Sequence, residues 1–241
     1  MTQEQPPLPT TAPLRNVASF SSLVERVKQR RDNLPGMAAF YGKSGVGKST
    51  AAAYAANKHK AYYVQVKAAW TRKYLCQMVL GQMGITPEKT LAEMVDQIAE
   101  QLTKSKRPLI VDEADFLVQK GMIEIIRDIY ESSFATIILI GEENLPRTLK
   151  KWERVHNRML DWVKAQPCDL SDCKQLARIF CPGVTVADEL LIRVKDAVGG
   201  CTRRIAVNLD HIFEFSQGHR LQEVTVANYA HPIDTGMPGR G

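Results

Sequence analysis

A parallel α/β sheet followed by a small helical domain is the fold class that this 241-residue sequence predicts. Three observations predict it. Short apolar runs of strand length recur along the first two thirds of the chain, the intervals between them carry helical periodicity, and after Pro167 the strand-like runs give way to helical ones. With 44% hydrophobic residues the chain has side chains enough for a real core, which excludes a mini-protein held by staples.

The elements follow in order. Four of the twelve prolines (Pro6, Pro7, Pro9 and Pro13) fall in the first thirteen residues, so residues 1–18 are expected to form a loose arm. Strand-like runs cover Met37–Tyr41, 61–66, 109–111 and 136–140, with a fifth around 162–165 closed by Pro167. The clearest helix carries Leu91, Met94, Val95, Ile98 and Leu102 on one face, with Asp96, Gln97, Glu100 and Gln101 turned away. Residues 186–198 and 202–215 carry helical spacing. The expected organisation is an α/β domain over 19–170, a helical domain over 171–230 and a Pro/Gly-rich tail over 231–241.

The formal net charge is +6, compatible with a nucleic-acid partner without establishing one. Cys76, Cys168, Cys173, Cys181 and Cys201 form no CxxC pair and no zinc spacing, so reduced thiols in a cytoplasm are expected. The most apolar run, 136–141, is far short of the roughly 20 residues that span a bilayer.

Gly42, Lys43, Ser44, Gly45, Val46, Gly47, Lys48 and Ser49 fit GxxxxGK[ST], directly after the first strand and before the Ala-rich helix start at Thr50. Glycines let main-chain N–H groups curl around a phosphate, the helix N-terminus adds a positive dipole, Lys48 spans the β- and γ-oxygens, and the Ser49 hydroxyl ligates Mg²⁺. Residues 108–115 read PLIVDEAD, an apolar strand ending in adjacent carboxylates. Asp112 is expected to hold Mg²⁺ through water and Glu113 to polarise the water that attacks ATP. A small-molecule kinase usually lacks the adjacent Glu, and an RNA helicase needs a second recombinase-like domain for which the chain has no room. Asp115 is expected only to cap the next turn.

On these motifs the layout resembles the AAA+ ATPases over roughly residues 21–217. With its compact size and the segment 144–162, it resembles in particular the DNA-transposition ATPases of the phage Mu B and TnsC/TniB type. The resemblance implies an AAA+ P-loop NTPase fold with a helical lid. It also implies a polar sensor after the fourth strand, where Gly141 is followed by Glu142, Glu143 and Asn144. Either Asn144 reaches back or Glu142 takes the role, and slow, partner-stimulated hydrolysis would follow. It further implies an Arg that reaches the γ-phosphate of a neighbouring subunit. Arg158 fits best, with Arg154 expected one turn earlier on the same helical face. Arg203, three residues after Gly200, matches the second sensor.

Residues 145–165 hold six basic side chains against two acidic, a local charge of +4. The resemblance implies that loops after the second strand and after the Asp–Glu strand face a central channel, which places Lys67, Arg72, Lys73 and Lys120 against DNA phosphates without base readout. Trp70 is expected to pack at a helix start. The function implied is ATP-dependent assembly of a homo-oligomer, ring or helical filament, on double-stranded DNA, and delivery of that DNA to a transposase. A helicase or clamp loader for replication, and an adaptor ATPase that binds protein only, are the rival expectations.

Overall fold

The computed structural model describes residues 13–237. They form two compact units, one of residues 16–43 and 48–165, the other of the residues up to Arg15, Ser44–Gly47 and the chain from Gln166 onward.

The first unit runs α1 (Arg15–Lys28), β1 (Met37–Tyr41), α2 (Lys48–His59), β2 (Tyr62–Gln65), α3 (Arg72–Met83), α4 (Leu91–Ser105), β3 (Leu109–Asp112), α5 (Asp115–Gln119), α6 (Ile123–Ser133), β4 (Ile137–Gly141), α7 (Leu145–Leu149), α8 (Glu153–His156) and β5 (Met159–Lys164). The strands make one parallel sheet in the order β2-β3-β4-β1-β5. Its inner strands are continuous apolar runs because both faces are covered. Met37, Ala39, Leu109, Val111, Ile137 and Leu139 join the core of Leu75, Val79, Met94, Ile98, Leu102 and Ile126 from α3, α4 and α6. The alternate residues stay out of that core, and Phe40 meets Phe20 of α1 edge to face at 5.0 Å. Buried Ala51, Ala52 and Ala55 on α2 are small enough for close helix packing.

Sequence expectations hold for β1 residue for residue and for β2, β3 and β4 within one residue or two at each end. The fifth strand starts at Met159, three residues before the expected 162, and ends at Lys164. It is an edge strand of half-buried residues, with Asp161 bound to Arg26 at 2.6 Å, so its apolar signal is diluted. α4 begins with a capping box in which Thr90 and Glu93 exchange hydrogen bonds with each other's N–H.

The second unit holds α9 (Leu170–Phe180), β6 (Thr185–Val186), α10 (Asp188–Ala197), α11 (Thr202–His219) and β7 (Glu223–Val224). Its helical character is the one expected. The two-residue parallel pair β6–β7 was not expected, being too short for any periodicity to announce. Asp169 and Asp172 form the capping box of α9, and Asp172 also takes the main-chain N–H and the Nε of Arg15, each at 2.9 Å. Residues 15–18, expected to belong to a loose arm, instead open α1, where Asn16 and Val17 are already buried; residues 1–12 lie outside the described residues. In the expected tail, Asp234 N–H bonds Asn208 at 2.8 Å and its carboxylate faces Arg204 at 3.4 Å. Residues 238–241 lie outside the described residues.

Candidate active site

The phosphate loop leaves the end of β1, where Gly42 is buried with no slack: a Cβ there would stand 3.2 Å from the Cβ and carbonyl of Ala165. Gly45 (φ 81°) and Gly47 (φ 86°) take the left-handed backbone that lets the chain curl back on itself. α2 starts at Lys48, so Lys48, Ser49 and Thr50 form its first turn, with Ser49 and Thr50 exposed. The Lys48 ammonium donates to the carbonyls of Gly42 (2.7 Å) and Lys43 (2.8 Å). Burial pulls its pKa down, while Asp112, Glu113, Glu142 and Asp115 pull it back up. These four carboxylates are therefore close enough for their charge to reach Lys48.

The tip of the loop, Ser44–Gly47, packs with the start of α11. Gly45 accepts the N–H of Arg203 at 3.1 Å, the Cys201 thiol lies 3.6 Å from the same carbonyl, and Thr202 faces Gly47. Arg203 is thus next to the loop through its main chain, and its side chain is exposed. Arg204 belongs to the Asp234 contact instead.

Asp112 ends β3 and is buried. One carboxylate oxygen accepts the N–H of Glu113 and the other accepts the Tyr63 hydroxyl, both at 2.8 Å. Burial and the carboxylates of Asp112 and Glu113 drive the Tyr63 phenol far above its ordinary range, so it stays a donor. Glu113 sits at φ 58°, a left-handed conformation for a non-glycine, and the next residue's N–H reaches the Ile140 carbonyl at 2.8 Å. Burial first, then Asp112, raise the Glu113 pKa, and Lys48 opposes them. A carboxylate moved up in this way is a stronger proton acceptor, suited to a general base.

Beyond β4, Asp115 does something other than cap a turn: its carboxylate accepts the N–H of Glu142 at 2.7 Å. Burial raises its pKa. Glu142 is exposed, and its charge bears on Lys48, Glu113 and Asp115. Asn144 is the residue before α7, exposed, with no capping bond from its side chain. Glu143 is paired with Lys164 at 2.7 Å.

Arg154 and Arg158 do not share a helical face, contrary to expectation. α8 is a single turn that ends at His156, and Arg158 follows it in the turn before β5. Arg158 accepts the N–H of Met37 at its carbonyl, and its guanidinium pairs with Glu131. Met37 opens β1, whereas the phosphate loop leaves the other end of that strand. At about 3.3 Å per residue, roughly 13 Å of strand separates Arg158 from its own loop.

Of the residues expected against DNA, Arg72 and Lys120 come together at the turn after α5, Lys67 is exposed in the loop after β2, and Lys73 turns away. Lys120 donates to the carbonyls of Ala68 and Trp70, tying the turn after α5 to the loop after β2. Arg72 lies over Gly121, and Lys73 donates to the Lys89 carbonyl at 2.8 Å. Trp70 is buried, edge-on to Tyr74. Sequence reasoning missed Tyr63 and the Asp115 bridge. A tyrosine on the strand beside PLIVDEAD was the only trace of the first, and the fourth letter of DEAD the only trace of the second.

The sheet and the loop after its first strand together define a P-loop NTPase fold of the AAA+ type. The family model described as AAA domain matches residues 31–149. The fold is similar to that of the ORC2 protein of Aeropyrum pernix, solved as ADPNP-ADP complexes, with TM-score 0.66 and 13% identity over 92% of this chain and 68% of that one. It is also similar to the ORC1 protein of the same organism in complex with DNA (TM-score 0.60, 16% identity, 87% and 61% covered) and to Cdc6p from Pyrobaculum aerophilum (0.61, 13%, 92% and 66%). No curated protein matches the sequence. Among the described residues no helix is long and apolar enough to cross a membrane.

Proposed function

We propose that this protein is an ATP-dependent DNA-binding ATPase that assembles on duplex DNA without regard to sequence and presents that DNA to a transposase. The observation that carries the reading is the separation of Arg158 from its own phosphate loop. An arginine at the far end of β1 serves a nucleotide only in a neighbouring copy, so hydrolysis and assembly become one event. ATP bound at such a boundary favours the oligomer by linkage.

In this reading the loop from Gly42 to Ser49 cradles the phosphates, and Lys48 moves from the Gly42 and Lys43 carbonyls to phosphate oxygens. Glu113 accepts the proton of the attacking water, while Glu142 or Asn144 orients it. Arg203 of the lid is the second sensor, and Arg158, or Arg154, is the finger. Ser49 and Asp112 suit Mg²⁺: an exposed hydroxyl on the first turn of α2, and a buried carboxylate whose two hydrogen bonds leave lone pairs for bound water. When bound, the ion would neutralise charge on the β- and γ-phosphates.

The DNA complex of the Aeropyrum ORC1 protein, of similar fold, supports a DNA partner, and so do the exposed cations Lys67 and Arg72. The transposase rests on the resemblance of the sequence to the Mu B and TnsC/TniB type. The same fold similarity favours a second reading, a loader in replication. Electron microscopy with ATP, with and without duplex, tests the reading: a coat on DNA is expected, and particles indifferent to both ATP and DNA would refute it. Capture of a transposase or of a replicative helicase then separates the two jobs.

A further inference from the structure

The helices α2, α4 and α6 each lead into a parallel strand, so their C-termini all come to the N-terminal edge of the sheet. All three end on a left-handed residue, the position where glycine is strain-free, yet none is glycine: Lys60 (φ 51°), Lys106 (φ 54°) and Phe134 (φ 49°). The same chain does use glycine for this purpose at the end of α3, where Gly84 has φ 73°. All three side chains are exposed, Phe134 to 65%, a large apolar ring left in water by a backbone that resists it. A lysine at a helix C-terminus has a structural use against the helix dipole; the phenylalanine has only an edge contact with Tyr130, at 6.0 Å between ring centres, which leaves most of its ring open.

Phe134 and Lys106 line a groove of about 630 Å³ together with Lys28, Arg107 and Asp32. The Arg107 guanidinium carbon lies over the Tyr62 ring, 3.9 Å from its centre, and the side chain donates to the Lys60 carbonyl. Lys60 itself lies outside the groove and lines a separate pocket with Arg107. Arg30 binds the Val27 and Phe134 carbonyls and the Thr136 hydroxyl, which holds the Phe134 turn in place. The groove thus offers two planar groups, a phenyl ring and a guanidinium held over Tyr62, among ammonium groups with a single carboxylate in the lining.

We infer that this edge of the sheet binds single-stranded nucleic acid, with unpaired bases stacked on Phe134 and Arg107 and phosphates held by Lys28 and Lys106. Aromatic platforms interleaved with cations suit bases that are free of a partner strand. A duplex keeps its bases inside and has no use for Phe134. The site lies at the opposite end of the sheet from the phosphate loop, and the inference does not depend on the chain's being an ATPase.

The test is fluorescence anisotropy of a labelled oligothymidylate with the full chain, without nucleotide, over a salt series. Phe134→Gly and Lys106→Gly both relieve a left-handed strain, so thermal melting should stay at the parent value or rise. Phe134→Gly should weaken the oligonucleotide by at least about fivefold, the worth of one stacked base. Lys106→Gly should reduce the log–log salt slope by about 0.7, one phosphate on a single strand. Parent affinity in Phe134→Gly would overturn the proposal. So would displacement of the oligonucleotide by an oligoglutamate of equal charge at equal concentration, which would make the groove a site for acidic peptides.

Discussion

The carboxylate of Asp115 accepts the main-chain N–H of Glu142 at 2.7 Å, and nothing fits between them: a Cβ on Gly141 would stand 2.4 Å from the same oxygen. Asp115 begins α5, two residues after Glu113, and Glu142 is the first residue after β4. One hydrogen bond therefore joins the segment of the proposed base to the segment of the proposed sensor.

Loss of that bond should cost turnover and spare nucleotide binding, because neither partner belongs to the phosphate loop. Asp115→Ala is expected to lower kcat about 10- to 100-fold, the scale of a misplaced catalytic group, with ATP affinity within a factor of two or three. Asp115→Asn keeps an acceptor oxygen and should recover most of the rate. Gly141→Ala, which pushes the carboxylate aside, should behave like Asp115→Ala. Equal losses in Asp115→Ala and Asp115→Asn would show that charge and not position is at issue.

Glu113→Gln should bind ATP as the parent does and hydrolyse it about 10² to 10⁴ times more slowly, the worth of a general base. Because the folded protein raises this carboxyl's pKa, the acid limb of kcat/KM, which reports the free enzyme, should lie above the ordinary Glu range. The same shift fixes a sign for stability. Folding favours the protonated form, so the ionised Glu113 destabilises the protein as pH rises through the raised pKa, and the effect is absent below the unfolded value. Glu113→Gln should accordingly melt higher than the parent at pH 7 and lose that advantage at low pH. Hydrolysis at the parent rate would remove Glu113 from the mechanism.

The loop, the two strand-end carboxylates and most of the sheet were legible because each rests on local sequence. GxxxxGKS names its own backbone, and inner strands buried on both faces are unbroken apolar runs. What stayed hidden depends on register or on partners far along the chain. Tyr63 faces Asp112 only because β2 pairs with β3 in one register, Tyr63 against Ile110 and Gln65 against Asp112. Arg158 looked like part of a longer helix because charged residues at every third or fourth place mimic one. The Trp152 carbonyl already accepts from both Val155 and His156, and the chain then turns into β5.

Cys201 is the one cysteine that is not buried, and its thiol lies 3.6 Å from the Gly45 carbonyl. Burial pushes Cys76, Cys173 and Cys181 up to about 12 and Cys168 up to about 11, so those thiols stay protonated and inert. A maleimide should therefore label one site on the native chain, Cys201, and the adduct should block ATP binding by crowding the loop. Excess ATP should slow the labelling, and Cys201→Ser should be refractory. Rapid modification of several cysteines before unfolding would contradict the assignment.

Arg158 should act in trans. Alone, Arg158→Ala is expected to lose about 10³ to 10⁵ in turnover, the worth of an arginine finger, and Lys48→Ala to lose nucleotide binding. Mixed, the Lys48→Ala chain lends its intact Arg158 to the intact loop of the other, so activity should return at intermediate ratios. Glu131→Gln removes the partner that holds Arg158 and should alter turnover without changing ATP affinity. No recovery at any mixing ratio would place the finger elsewhere, with Arg154 the next candidate.

Duplex binding should require ATP, if assembly is what aligns the loops after β2 and α5 from successive subunits. It should be nearly blind to sequence and fall with salt at a log–log slope of about −0.9 per phosphate neutralised. The four cations at this end are not equivalent. Lys120 ties two loops together through the Ala68 and Trp70 carbonyls, so Lys120→Ala should loosen the loops and lower stability. Lys67 and Arg72 are exposed, and their removal should flatten the slope with stability unchanged. Lys73 holds the Lys89 carbonyl and should contribute less to the slope than Arg72. Anisotropy of two unrelated duplexes over a salt series, with and without ATP, reads each of these differences. Parent slopes in Lys67→Ala/Arg72→Ala would move the duplex site away from these loops, and tight binding without ATP would separate DNA recognition from assembly.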